Sequence, residues 1–118
     1  MDPITGLAIG RIVVGATSLL SPNLAAKLFL LNPKANPQVP FVTRLFGSRE
    51  IALGGLTLAA KGAARRQLVQ VGIAVDGADA ATGLIAALDG SVSKPAGILM
   101  TLVAGGAVAT GVAELQNG

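Results

Sequence analysis

The 118-residue chain contains no cysteine and no histidine. Their absence excludes disulfide bonds, thiol nucleophiles, imidazole bases and the usual nitrogen and sulfur ligands of zinc. Tryptophan and tyrosine are absent too, so the belt of interfacial aromatic residues found in many membrane proteins is missing. The nine basic residues are scattered without aromatic residues between them, which argues against a nucleic-acid surface. We therefore predict no metal, no cofactor and no nucleic-acid partner.

Charged residues are scarce. They make up 13% of the chain, against about 25% in ordinary soluble domains. Hydrophobic residues make up 52%, and the mean hydropathy is +0.68. This composition favours a lipid bilayer as the solvent of a single helical membrane domain, residues 1–118. A water-soluble helical bundle is the alternative, and it would have to hide its apolar surface behind a very thin polar face.

Four apolar segments predict an all-α fold, a four-transmembrane-helix bundle. The spans are about 4–20, 41–60, 67–88 and 96–113. The apolar pattern of residues 23–31 predicts a short amphipathic helix on the membrane surface, between spans one and two. Three prolines between residues 33 and 40 predict a loop after it. No positive residue precedes the first span, as a signal peptide would require, so we expect this segment to be retained.

The loop between the second and third spans is basic, with Lys61, Arg65 and Arg66 in six residues. Cytoplasmic loops of membrane proteins carry an excess of lysine and arginine. The pattern predicts a multi-pass protein of the cell membrane with this loop and both termini in the cytoplasm. Lys27 and Lys34 fall on the opposite side in this arrangement.

Charged residues occur within the most hydrophobic segments of the chain. The spans contain three arginines and three acidic residues, Arg11, Arg44, Arg49, Glu50, Asp76 and Asp79. An unpaired charge at the centre of a bilayer costs about 2.5–3.5 kcal/mol on insertion scales, so pairing between helices is expected. In an antiparallel hairpin of the second and third spans, Arg49 lies at a depth between Asp76 and Asp79. We expect Arg49 to pair with one or both, and Arg11 to reach Glu50.

Glycines at helical spacing predict close packing between helices. The residues assigned to this packing are Gly72, Gly83, Gly97 and Gly111. On the fourth span, one stripe of mostly small residues is expected to pack against another chain. The stripe consists of Gly97, Thr101, Ala104, Val108 and Gly111.

One run of residues resembles a known class of proteins. Arg44-x-x-Gly47-x-Arg49-Glu50-x-x-Leu53-Gly54, followed by Asp76-x-x-Asp79, is similar to an uncharacterised family of small bacterial, actinobacterial-type integral membrane proteins with four spans. The resemblance covers most of the chain. It implies four transmembrane helices and no established activity.

Two other resemblances fail at specific positions. Small multidrug-resistance transporters resemble the chain in length and span number, but Arg11 stands where their first helix carries a glutamate. Asp76-Gly77-Ala78-Asp79 is similar to the start of the acidic motif of CDP-alcohol phosphotransferases, whose later residues are absent here. No phosphate-binding glycine loop and no serine–lysine pair at helical spacing is present. We therefore predict that the protein is not an enzyme.

Two classes of function stay open. The preferred one is a structural or accessory interaction subunit or homo-oligomer, in which the six charges fix the order and register of the helices. Its partners are the lipid bilayer and further copies of the chain or a larger membrane complex. The alternative is a small transporter or lipid-binding protein, in which the charges hold an anionic ligand or relay a proton.

Overall fold

The computed structural model describes residues 2–117, and in this part of the chain it contains five helices and no strand. The helices are α1 (Pro3–Leu20), α2 (Pro22–Leu28), α3 (Val39–Ala59), α4 (Gly62–Asp89) and α5 (Lys94–Asn117). The prediction of an all-α fold is confirmed.

The first helix begins at Pro3 because Asp2 caps it. The Asp2 carboxylate accepts hydrogen bonds from the backbone N–H of Thr5 (2.9 Å) and from the Thr5 hydroxyl (2.8 Å). A side-chain cap satisfies an N–H group that has no partner within the first turn, and proline is well tolerated at the first helical position. Proline also opens α2, where Pro22 follows directly after the turn at Ser21.

The second helix is shorter than the predicted surface helix and ends at Leu28. The reason lies at Leu30, whose φ of +64° is incompatible with a right-handed helix. The turn places Phe29 edge-on against Phe46 of α3, with ring centroids 6.1 Å apart. Two turns closed by asparagine side chains follow within residues 32–38, in the predicted proline-rich loop.

The fourth and fifth helices extend beyond the predicted spans. The structure corrects the assignment of Arg65 and Arg66 to a loop, because both lie near the start of α4. Alanine and arginine are strong helix formers, and polarity limits the length of a membrane span without ending a helix. Only Ala60 and Lys61 separate α3 from α4, and Gly90 ends α4 in the left-handed conformation with φ +81°.

The four long helices form two antiparallel pairs, α1 with α3 and α4 with α5. Glycine lets the backbones touch within each pair. A Cβ atom added at Gly15 would lie 2.6 Å from the carbonyl oxygen of Gly47, and one added at Gly97 would lie 2.5 Å from that of Gly83. The two pairs meet over much shorter stretches, where α1 approaches α5 and α3 approaches α4. Packing within each pair is therefore tighter than packing between them.

Most large apolar side chains lie on the outside. The buried apolar residues are mainly alanines, whereas Leu20, Leu88 and Leu102 are 87%, 78% and 68% exposed. Soluble monomers rarely expose large continuous apolar surfaces. This distribution agrees with a surrounding solvent that is itself apolar.

Three helices, α1, α4 and α5, are long and apolar enough to cross a membrane. The expectation of four helices of this kind is corrected to three. The helix that falls short is α3, because its 21 residues include Arg44, Arg49 and Glu50.

Candidate functional site

Five charged side chains from three helices converge into one cluster, which we call the charge cluster. It consists of Arg11 from α1, Arg49 and Glu50 from α3, and Asp76 and Asp79 from α4. The side chains of Arg11, Glu50 and Asp76 are 9%, 5% and 6% exposed, whereas those of Asp79 and Arg49 are 21% and 40% exposed. The cluster thus has a buried half around Arg11 and a more accessible half around Arg49.

Arg11 joins two carboxylates from two different helices. Its Nη1 donates to Glu50 Oε2 at 2.8 Å and to Asp76 Oδ1 at 3.0 Å, and its Nη2 donates to Asp76 Oδ2. The planar guanidinium fork suits such bidentate contacts. Gly72 provides room for it, since a Cβ atom there would lie 3.2 Å from Arg11 Nη2.

Arg49 forms the accessible half. Its Nη2 donates to Asp79 Oδ2 at 2.7 Å and to Glu50 Oε1 at 3.3 Å. The guanidinium carbon lies 5.1 Å from the centroid of the Phe46 ring, within the range of a cation–π contact. Arg49 Nε is buried and has no hydrogen-bond partner among residues 2–117.

The cluster carries an excess of one negative charge, because two arginines face three carboxylates. Both oxygens of Glu50 and both of Asp76 accept hydrogen bonds from guanidinium groups. Within residues 2–117, Asp79 accepts one hydrogen bond, on Oδ2, and its Oδ1 has no donor. The least compensated carboxylate is therefore also the most exposed of the three.

The three carboxylates stand close enough to share a cation. One oxygen from each of Glu50, Asp76 and Asp79 lies within 4.8 Å of the others. The guanidinium groups already occupy the Glu50 and Asp76 oxygens, so a metal ion would have to displace hydrogen bonds from Arg11. The spacing alone assigns no metal.

Arg44 is not in the charge cluster, and the predicted balance of three positive and three negative charges is corrected. Arg44 is exposed, and its Nε donates to the carbonyl oxygen of Leu19 at 3.4 Å, next to the end of α1. It lies more than one helical turn before Arg49, close to the start of α3. From this position on α3 its side chain reaches the C-terminal end of α1 and not the charge cluster.

The pairing of the remaining charges agrees with the expectations in part. Arg49 pairs with Asp79 and Arg11 with Glu50, as expected, but Asp76 belongs to Arg11 and not to Arg49. The expectation treated α3 and α4 as a tightly packed hairpin, in which residues at the same depth in the membrane would meet. In the structure, α3 packs chiefly on α1 and α4 packs chiefly on α5. Equal depth along α3 and α4 therefore did not decide which side chains meet.

The four packing glycines have different neighbours. Gly83 and Gly97 face each other between α4 and α5, and Gly111 of α5 lies against Ile73 of α4. Gly72 lies beneath Arg11. The small-residue stripe of α5, expected to contact another chain, is used within this one: the Thr101 hydroxyl donates to the Ala80 carbonyl at 3.1 Å, and Ala104 is buried.

A second ionic contact, at the start of α1, was not predicted. Arg65 Nη2 donates to Asp2 Oδ1 at 2.7 Å. Hydrogen bonds from the backbone and hydroxyl of Thr5, with the nearby Arg65 charge, hold the pKa of Asp2 below its usual value. Asp2 directly before Pro3 and an apolar run is a sequence signal for the helix cap, but it gives no signal for the contact with Arg65.

Two open clefts border the charge cluster. The first, which we call the lateral cleft, lies between α1 and α5 and has a volume of about 550 Å³. The second lies among α3, α4 and α5 and has a volume of about 600 Å³. Phe29, Phe46, Asp79 and Met100 border both. Asp79 thus lies where the two clefts meet.

Comparison of the chain with known protein families, with curated proteins and with solved structures finds no match.

Proposed function

We propose that this chain is a four-span integral membrane protein of the small-transporter type, in which Asp79 takes up and releases a proton or another cation. One observation carries the proposal: the charge cluster has one negative charge in excess, at a carboxylate with a free oxygen between two clefts. Ionisable groups in a membrane are costly, and they commonly mark routes for protons, ions or substrates. A cation at Asp79 would neutralise the cluster.

That α3 crosses the membrane in addition to α1, α4 and α5 is supported by how its charges are compensated. Glu50 and Arg49 both have ionic partners in the cluster. Arg44 lies near the start of α3, and long basic side chains close to a helix terminus extend to the membrane surface. The length of α3, 21 residues, is sufficient for a bilayer that needs about 20. The resemblance to small four-span bacterial membrane proteins favours the same number.

For the orientation, we propose that both termini and the α3–α4 connection face the cytoplasm of a multi-pass protein in the cell membrane. Lys61, Arg65 and Arg66 near this connection support the proposal. An Ala64→Cys variant tests it, since the chain has no cysteine of its own. A membrane-impermeant maleimide should label this cysteine only after the cells are opened. Labelling in intact cells would invert the orientation.

The transporter function is preferred over the accessory subunit for a structural reason. The subunit hypothesis depended on a free stripe of small residues on α5, and α4 of the same chain occupies that stripe. Two clefts border Asp79, and they give a proton or a cation access to its carboxylate. No catalytic role is proposed.

A flux measurement tests the proposal. Purified protein in liposomes, with a pH-sensitive dye inside, is subjected to a potassium diffusion potential set by valinomycin. We expect proton uptake above that of protein-free liposomes, and we expect Asp79→Asn to abolish it. Asp89→Asn is the matched control, because Asp89 is an acid on the same helix that lies at its end, hydrogen-bonded to Ser91. Equal uptake by wild type and Asp79→Asn would contradict the proposal.

A further inference from the structure

The lateral cleft differs from an ordinary packing defect in its shape. It runs along α1 from Gly6 to Val14 and along α5 from Met100 to Thr110, and it opens between these two helices. Its volume of about 550 Å³ lies within the range of sites for small organic molecules, about 300–1,000 Å³. The cleft is large enough for a ligand of that size.

Glycines lie on both walls of this cleft. At Gly10 on α1 and Gly106 on α5, an added Cβ atom would meet no heavy atom within 4 Å. The glycines of the helix crossings are different, since a Cβ atom at Gly97 would lie 2.5 Å from a backbone oxygen. Larger side chains at Gly10 or Gly106 would therefore extend into the space of the lateral cleft.

The two clefts differ in charge. The lateral cleft is bordered by Arg11 and by all three carboxylates of the charge cluster, so it faces the one negative charge that the cluster has in excess once Arg49 is counted. The second cleft is bordered by Arg49 and Asp79, which form an ion pair there. The remaining walls of the lateral cleft are apolar apart from Thr110. Its charge therefore attracts a cation, and its walls favour one with apolar groups.

We infer that the lateral cleft binds an organic monocation with apolar substituents, such as a phosphonium or a quaternary ammonium ion. The inference rests on the proposed function and names its ligand class. The positive centre lies near Asp79 Oδ1, and the apolar groups lie against the glycine-lined walls. Phe46 and Met100, where the two clefts meet, are aromatic and polarisable neighbours for such an ion.

A small inorganic cation fits this cleft less well. Calcium and magnesium require about six or more oxygen ligands, and apolar walls cannot replace the water that such an ion would lose. The four oxygens of Glu50 and Asp76 are committed to arginine hydrogen bonds. An organic cation with a shielded charge loses little hydration and needs only one carboxylate oxygen that accepts no hydrogen bond, as Asp79 Oδ1 is within residues 2–117.

Calorimetric titration of the purified protein in a neutral detergent tests the inference with two probes of the same shape. Tetraphenylphosphonium is a cation and tetraphenylborate is an anion. We expect the first to bind and the second not to bind. We expect Asp79→Asn to weaken phosphonium binding by about tenfold or more, because it removes the negative charge that the cluster has in excess. Equal binding of the two probes, or no binding of the cation, would overturn the inference.

Two adjacent glycines of α5 provide a matched steric pair. Neither Gly105 nor Gly106 has a heavy atom within 4 Å of an added Cβ, but only Gly106 borders the lateral cleft. Gly106→Leu should abolish phosphonium binding and Gly105→Leu should leave it unchanged, with equal melting temperatures for both variants. Unchanged binding in Gly106→Leu would overturn the assignment to this cleft.

The flux measurement separates the two proposals. Proton uptake that depends on Asp79, without phosphonium binding, would refute the ligand class and leave the proposed function standing. Phosphonium binding that is lost in Gly106→Leu, without any proton uptake, would refute transport and leave the binding site standing.

Discussion

Removal of Arg11 should destabilise the protein far more than removal of Arg49. The two arginines belong to one charge cluster and each contacts two carboxylates, but they differ in burial. Arg11 is 9% exposed and Arg49 is 40% exposed. Methionine is the replacement of choice at both positions, because it keeps the length of the apolar stem and removes the charge and the hydrogen-bond donors.

The expected magnitude follows from what each change leaves behind. Arg11→Met leaves Glu50 and Asp76 without their main partner, and these side chains are only 5% and 6% exposed. Breaking a buried ion pair from one side costs about 3–5 kcal/mol. Arg49→Met leaves Asp79, which is 21% exposed and can be solvated, so a loss of about 1 kcal/mol is expected. The two variants should therefore differ by about 2–4 kcal/mol.

A double-mutant cycle isolates the ionic contribution from the lost packing. The variants are Arg11→Met, Asp76→Asn and their combination, and the free energy of unfolding is measured in mild detergent. Asp76→Asn removes one of the two charges that Arg11→Met would otherwise strand, so the combination should lose less than the sum of the single losses. Coupling of about 0.5–3 kcal/mol is typical of residues in direct contact. The same cycle with Arg49→Met and Asp79→Asn should give a smaller coupling.

The reasoning would be refuted by either of two results. Additive losses for Arg11→Met and Asp76→Asn would mean that the buried half of the cluster contributes no coupling. A loss for Arg49→Met equal to that for Arg11→Met would mean that burial does not govern the cost of stranding a charge in this protein.

Three further predictions concern packing, pH and partition. Gly97→Ala should cost about 1–3 kcal/mol because its methyl group would overlap the Gly83 backbone, whereas Gly77→Ala, with open space around it, should be neutral or stabilising by about 0.5–1 kcal/mol; melting curves compare them. Asp2 has a lowered pKa, so its carboxylate stabilises the cap fully at pH values above its ordinary pKa of 3.8, and this stabilisation is lost as the pH falls further. The difference in melting temperature between wild type and Asp2→Ala should therefore shrink in acid. A difference that stays constant with pH would contradict the assignment of Asp2 as the cap. Carbonate extraction of membranes should leave the protein in the pellet, and release into the supernatant would contradict the membrane assignment.

The helices were predictable from sequence because apolar runs and prolines mark them directly. Asp2 and Pro3 start α1, and the prolines after residue 32 exclude a helix before α3. Helix ends were less predictable where polar residues continue a helix, as Arg65 does near the start of α4. Hydropathy reports where a span can lie, whereas backbone hydrogen bonding decides where a helix stops.

The residues of the charge cluster were easier to predict from sequence than the ion pairs that they form. The free-energy cost of an unpaired charge in a bilayer is enough to indicate that charges such as Arg49 and Asp79 must pair with one another between apolar helices. Which partner each finds depends on how the helices are arranged around one another, and that arrangement follows from glycine crossings such as Gly15 with Gly47. Sequence spacing gives depth along a helix, but it does not give the neighbour of that helix. For this reason the sequence left open whether Arg49 pairs with Asp76, Asp79 or both, and the pairing of Asp76 with Arg11 was not expected.

The division into two helix pairs has a consequence for biosynthesis. The pair made first, α1 with α3, contributes Arg11, Arg49 and Glu50 to the charge cluster and is left with one positive charge in excess. The pair made second contributes Asp76 and Asp79, two negative charges with no arginine of their own in the cluster. Each half of a nascent or truncated chain therefore exposes uncompensated charge on a face that only the other half can cover. Completion of the chain brings these opposite charges together, so each half is expected to be more costly to keep in a bilayer alone than within the complete chain.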